Sequence, residues 1–186
     1  MKTITTILSL SLFAATAAAA PFKLTSKNFK EGGAIPDKQV FNSFGCSGGN
    51  VSPELEWANP PAGTKSFALM VHDPDAPTGS GWWHWVAYNI PATTTSIPEG
   101  GPLPQGTVQG NTDFGSAGWG GPCPPAGSGD HHYNFMLFAL KVDKLDLPAT
   151  ATAAFVGFNV NANAIGKVKL TGIYNRKKHQ QPAGRP

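Results

Sequence analysis

Charge is scarce in this chain: only 13% of its 186 residues are Asp, Glu, Lys or Arg, against 40% hydrophobic residues. Such a composition excludes intrinsic disorder. Extended blocks of one sign are also missing. Arg176, Lys177, Lys178 and Arg185 lie in the last twelve residues with no acid beside them, and once these and Lys2 are set aside, nine basic residues face eleven acidic ones between 21 and 174. The body is therefore faintly acidic. The basic segment has neither interleaved aromatics nor a recognition motif, so nucleic-acid binding is without support and 175–186 reads as a flexible, solvated tail. Cysteine is limited to Cys46 and Cys123. With no C-x-x-C pair, neither a thioredoxin-like redox centre nor a zinc–thiolate site is expected. Apolar runs stay short of the ~20 residues that span a bilayer, which argues against a transmembrane segment.

The first twenty residues form an export signature. Lys2 precedes an apolar run from Ile4 to Phe13, and Ala14 to Ala20 supply the small residues a signal peptidase accepts, so 1–20 is read as a cleavable signal peptide and 21–174 as one folded domain in the periplasm or outside the cell. In that oxidising setting two cysteines favour a Cys46–Cys123 disulfide. Closing a loop of that length stabilises a fold by about 4 kcal/mol in the chain-entropy model.

Glycine and proline are plentiful, at 22 and 17 residues, and they punctuate short runs rich in Val, Phe, Trp, Tyr and Leu. This spacing predicts an all-β fold. Ser66–His72, Trp82–Ile90 and Tyr133–Lys141 are expected as strands, the first and last of them central because they are apolar on both faces. Lys167–Tyr174 alternates, with Val168, Leu170 and Tyr174 on one face and lysines on the other. A helix is expected over Thr150–Val160, with Phe155, Val156 and Phe158 as its apolar side, and a short second helical piece through Asn161–Gly166. The result is a β-sandwich with one or two short helices near the C-terminus. Two Gly/Pro-rich loops, Phe44–Pro53 and Asn111–Gly129, carry one cysteine each, so a disulfide would staple them together.

Four of the five histidines fall between 72 and 132, near Asp73 and Asp75. His72 and Asp73 end one expected strand, His84 begins the next, and His131 opens the Tyr133 strand. With a period of two, His131 and Tyr133 share a face, as do His84 and Val86. Strand ends thus converge on a small polar pocket whose imidazoles and phenol suit an anion.

The segments DPDAP (Asp73–Pro77), WHW (Trp83–Trp85) and GPCPPAGSGDHHYNF (Gly121–Phe135), with CSGGNVSP upstream and AFVGFNVNANAIGKVKLTGIY at the end, resemble the phosphatidylethanolamine-binding protein family, in its bacterial, Raf-kinase-inhibitor-like branch. The resemblance covers essentially all of 22–174. It implies a large antiparallel sheet packed on a smaller one, and a pocket lined by Asp73, His84, His131 and Tyr133, with Pro124 at its rim. It further implies that a phosphate-like or carboxylate-like anion is held there without being transformed, with no cofactor. Asp73 beside an anion is reconciled if the carboxylate orients a histidine and favours its charged form. Three features depart from the better-known animal members: the short stretch between Asp73 and His84, Cys123 at a rim position, and a basic tail without an apolar helix. These put head-group preference and any kinase partner in question. A homodimer is compatible with the family, and no residue here decides it.

Other readings compete. Asp73 and Asp75 around Pro74 also suit a plain turn, the role expected of Asp75. His132 is expected to be exposed. A metal site from Asp73, His84 and His131 lacks tight ligand spacing, and Trp82, Trp83 and Trp85 read as core and wall rather than a sugar or choline platform. Gly45–Gly49 matches G-x-S-x-G around Ser47, yet Asn50-Val51-Ser52-Pro53 resists the helix that a nucleophile elbow requires. A protein-level inhibitor or signalling modulator, acting through the surface around the pocket, is the principal alternative to a small-anion binder, with a hydrolase a minor one.

Overall fold

The computed structural model describes residues 20–148 and 150–178. The expected signal peptide, apart from Ala20, and the last eight residues of the expected tail lie outside the described residues. In chain order the elements are β1 (Lys23–Thr25), β2 (Gly33–Ala34), β3 (Leu55–Ala58), β4 (Ser66–Asp73), β5 (Trp82–Pro91), β6 (Ser96–Ile97), β7 (Val108–Gln109), β8 (Asp130–Leu140), α1 (Ala153–Asn163) and β9 (Ala164–Asn175). They build the expected all-β sandwich. A six-stranded sheet, ordered β2-β9-β8-β4-β5-β7, packs on a three-stranded sheet ordered β1-β3-β6. Every pairing is antiparallel except β2 with β9.

β4 and β8 are apolar on both faces because both faces are covered. On one side Phe67, Leu69 and Val71 of β4 and Tyr133, Phe135 and Leu137 of β8 meet Leu55 and Trp57 of the small sheet. On the other, Ala68, Met70, Phe138 and Leu140 lie under Ala153, Val156 and Val160 of α1. Each large side chain so buried contributes about 1.5–3 kcal/mol. β9 covers β8 along its length, from Asp130↔Asn175 to Leu140↔Ala164.

The helix differs from expectation in two respects. Thr152 caps it, accepting a hydrogen bond from the Phe155 N–H at 3.2 Å, but its packed side is Ala153, Val156 and Val160, while Phe155 and Phe158 point to solvent, 47% and 73% exposed. Gly157 also approaches the sheet, where a Cβ would make an ordinary contact of 3.4 Å with the Met70 methyl. Nor does a second helical piece form over Asn161–Gly166. The helix ends at Asn163, and Ala164 turns extended because the backbone there is claimed by the β8–β9 ladder.

Candidate functional site

Antiparallel pairing brings the end of β4 beside the beginnings of β5 and β8. Asp73 pairs with Trp82, and His72 with both Trp83 and Asn134, so Asp73, His84, His131 and Tyr133 gather at one edge of the large sheet. His131 and Tyr133 share the buried face, as their spacing predicts.

His84 arrives there by a different route from the one its spacing implies. Val71 pairs with Trp85 and His72 with Trp83, leaving His84 as the extra residue of a β-bulge. A bulge places two successive side chains on one side of a strand. The rings of His84 and Trp85 accordingly both meet Trp119, whereas Val86 packs with the cluster under α1. His84 and Val86 therefore do not share a face.

The segment 110–121 runs along the free edge of β5. The N–H groups of Gly110, Asp113 and Gly120 donate to the carbonyls of Val86, Trp83 and His84. It lays Phe114 against His84 and Trp82, with ring centroids 5.4 Å apart in each case. Phe44 of the first cysteine loop stacks on Phe114 at 5.9 Å, and Phe41, just before that loop, packs tilted against it at 4.5 Å. The Cys46–Cys123 disulfide forms, with Cα atoms 6.0 Å apart, and joins the two loops. Arg176, in the segment expected as a solvated tail, donates to the Gly45 carbonyl at 2.6 Å, and its own carbonyl accepts from Gly127.

Between these parts lies a cavity of about 220 Å³ lined by all five expected residues, Asp73, His84, Pro124, His131 and Tyr133. Phe44, Trp82, Phe114, Thr78 and Pro125 complete much of its wall. That volume is below the range typical of pockets for drug-sized ligands. The position of Phe114 and of the Pro125–Ser128 turn carries no periodic signal in sequence; proximity to the second cysteine is the single clue.

The polar chemistry is unevenly satisfied. His131 Nδ1 lies 2.7 Å from Asp73 Oδ2, both side chains buried, and the second oxygen of Asp73 accepts the Asp75 N–H at 2.9 Å. Ser128 Oγ lies 2.9 Å from His131 Nε2 and donates to the Pro125 carbonyl at 2.8 Å. His84 Nδ1 lies 2.7 Å from the Gly120 carbonyl, which can only accept, so the proton sits on Nδ1 and the neutral ring keeps its lone pair on Nε2. Burial pushes the His84 pKa down to about 4, although the Gly120 carbonyl and the Asp73 charge pull the other way. Burial, reinforced by the Asp73 charge, raises the Tyr133 pKa, so its hydroxyl stays protonated. That hydroxyl is buried without a hydrogen-bond partner among the described residues.

Asp75 and His132 sit outside this network as an exposed pair, with Asp75 Oδ2 accepting the His132 N–H and lying 2.8 Å from its Nδ1. Burial opposes ionisation of Asp75, but the hydrogen bonds to His132 outweigh it and hold the carboxyl below its ordinary value. His72 stacks on Trp83 on the opposite face. Among the described residues no three His, Cys, Asp or Glu side chains are placed to share a metal ion. The Ser47 motif lies in a stretch, 35–54, with neither strand nor helix, so no nucleophile elbow forms there.

The family model described as "Phosphatidylethanolamine-binding protein" matches residues 25–175. The chain is 49% identical over 185 residues to YbcL of Escherichia coli K12, covering 95% of this chain and all of that protein. It is 38% identical over 157 residues to the putative lipoprotein LppC of Mycobacterium tuberculosis, covering 84% of this chain and 74% of that one. The crystal structure of E. coli YbcL, described as a new member of the mammalian PEBP family, superposes with a TM-score of 0.82 at 50% identity, covering 85% of this chain and all of the other. With the motifs in place on the matching fold, the chain belongs to the phosphatidylethanolamine-binding protein family.

Proposed function

We propose that this protein binds a small anion, a phosphate or phosphomonoester by preference, in the Asp73–His84–His131–Tyr133 cavity and releases it unchanged. The observation that carries this reading is the Tyr133 hydroxyl, a buried donor on the cavity wall with no acceptor among the described residues. A group left in that condition costs about 1–3 kcal/mol, which a ligand oxygen would recover. His84 adds selectivity. Its neutral ring offers Nε2 as an acceptor, so the best-matched ligand presents both an anionic oxygen and a hydroxyl. Monohydrogen or dihydrogen phosphate does so, whereas a carboxylate only accepts. The Asp73 charge is no obstacle in this reading, since His131 and the Asp75 N–H already engage both of its oxygens.

The export-like N-terminus, the disulfide and the lipoprotein name of one relative support a periplasmic or secreted location. Titration with inorganic phosphate at neutral pH, followed by NMR of the His84 and His131 rings, tests the pocket. Saturable shifts are expected with phosphate and much weaker ones with acetate, and unmoved rings reject the reading. A second reading, a partner protein met by the surface around the cavity, draws on Phe44, which is 65% exposed at the mouth. Phe44→Ser would then abolish partner binding, with only a partial loss of phosphate affinity because Phe44 also lines the cavity.

A further inference from the structure

Ser128, exposed in the turn that closes over the pocket, has a relationship to His131 and Asp73 that anion binding does not use. Its Oγ lies 2.9 Å from His131 Nε2, and His131 Nδ1 lies 2.7 Å from Asp73 Oδ2. Serine, imidazole and buried carboxylate are thus joined in one line, the order in which a hydroxyl is made nucleophilic. The flanking residues hold the serine outward: Gly127 and Gly129 have φ of +80° and +97°, a region only glycine enters freely, and they bend the chain sharply on both sides of it. Asp73 and His131 are 2% exposed, so the imidazole is fixed and shielded, while Ser128 itself is an exposed residue.

We propose that Ser128 is an acyl-accepting nucleophile, with His131 as its general base and Asp73 as the positioning residue. An activated ester, such as a phenyl ester or thioester of a small acid, is attacked at its carbonyl carbon by Ser128 Oγ. The Oγ–carbon bond forms as the hydroxyl proton passes to His131 Nε2. The bond to the leaving oxygen or sulfur then breaks, and that atom takes the proton back from His131. The products are an ester on Ser128 and one free alcohol or thiol, with no oxidant, reductant or metal required. The Ser128 proton currently has two acceptors within reach, the Pro125 carbonyl at 2.8 Å and His131 Nε2. The step begins when it turns from the first to the second, which needs His131 Nε2 unprotonated. Ser128, rather than Ser47 in its strand-less loop, is the serine with this geometry. Ser128 is not among the residues that line the cavity, although His131 and Asp73 are, so the two readings share those two side chains.

The test treats the disulfide-bonded protein with p-nitrophenyl acetate and, separately, with a fluorophosphonate probe, and maps the adducts by peptide mass spectrometry. Expected are a burst of about one equivalent of p-nitrophenol and a single modified peptide containing Ser128, both lost in Ser128→Ala and both retained in Ser47→Ala. The burst rate should rise with pH, as general-base catalysis requires, and His131→Gln, its fold checked by NMR, should lose the rate but not the fold. Inorganic phosphate should still shift the His84 ring in Ser128→Ala, which separates failure here from failure of the binding reading. Absence of an adduct on Ser128, equal labelling of other exposed serines, or undiminished labelling in Ser128→Ala would each overturn the proposal.

Discussion

The ring of Tyr133 stands edge-on to that of His84, with centroids 4.9 Å apart, and both are buried in the wall of the same small cavity. The two differ in what the fold has given them. His84 has its Nδ1 proton engaged by Gly120, while the Tyr133 hydroxyl has no partner among the described residues. Removing that hydroxyl therefore separates stability from function. Tyr133→Phe should stabilise the ligand-free protein by about 1 kcal/mol, because a buried unsatisfied donor disappears. The same variant should bind phosphate about tenfold more weakly, the loss of one hydrogen bond to a charged acceptor. Chemical denaturation with and without phosphate checks both signs, and a destabilised Tyr133→Phe protein would mean that the hydroxyl is already satisfied.

His84 sets an acid limb. Its folded pKa of about 4 lies below the ordinary value of 6.5, so between those pH values the unfolded chain binds a proton that the folded protein does not. Stability contributed by neutral, buried His84 is complete above about pH 6.5 and is lost as pH falls toward 4, about 3 kcal/mol in all. His84→Phe should flatten the stability profile across that window. A phosphate whose hydroxyl donates to Nε2 favours the neutral ring, so ligand should keep the His84 pKa from rising above its ligand-free value. NMR titration of the ring, free and with phosphate, reads the shift directly.

The disulfide braces the pocket as well as the fold. Cys123 lines the cavity itself, and Phe44 and Pro124, also in its wall, stand within two residues of the bonded cysteines. A Cys46→Ser/Cys123→Ser protein should lose about 4 kcal/mol of stability in the chain-entropy model, and phosphate affinity should fall several-fold even at temperatures where it remains folded. Thermal unfolding and calorimetric titration measure the two effects separately. An unchanged affinity would show that the loops hold their places through hydrogen bonds alone.

Much of this fold can be read directly from the chain, and the exceptions have physical causes. β4 and β8 announce themselves because runs such as Ser66–His72 are apolar on both faces, which only a doubly covered strand tolerates. β1, β2, β6 and β7 span two or three residues each, too few for a period to show. His84 is assigned to the pocket by its motif yet placed on the wrong face by alternation, since a bulge interrupts the period by one residue without changing the composition. Phe155 and Phe158 look like the buried side of α1 on hydropathy alone. The structure instead buries Ala153, Val156 and Val160 against the sheet and leaves both phenylalanines on the solvent side. Ser128 meets His131 through a local turn, an arrangement that motif spacing does not display.

Close backbone approach makes the last prediction. Gly121 sits where the second cysteine loop crosses the first: its N–H donates to the Asn50 side chain at 2.9 Å, and the Phe41 N–H donates to the Pro122 carbonyl at 3.0 Å. A Cβ there would fall 2.1 Å from the Gln39 carbonyl oxygen and 2.6 Å from the Phe41 nitrogen, backbone atoms that cannot swing aside as a side chain does. Gly121→Ala should therefore cost about 3 kcal/mol or more and loosen phosphate binding in whatever fraction stays folded, because parting the loops moves Phe44 and Pro124 away from each other. Gly106→Ala is the control. That position is open, with nothing within 4 Å of a Cβ, but its φ is +92°, so only backbone strain of about 1–2 kcal/mol is expected, with ligand affinity unchanged. Urea unfolding of the two variants side by side distinguishes the cases. Equal costs would mean that the crossing yields easily and that the pocket rim is held by the disulfide rather than by contact between the two backbones.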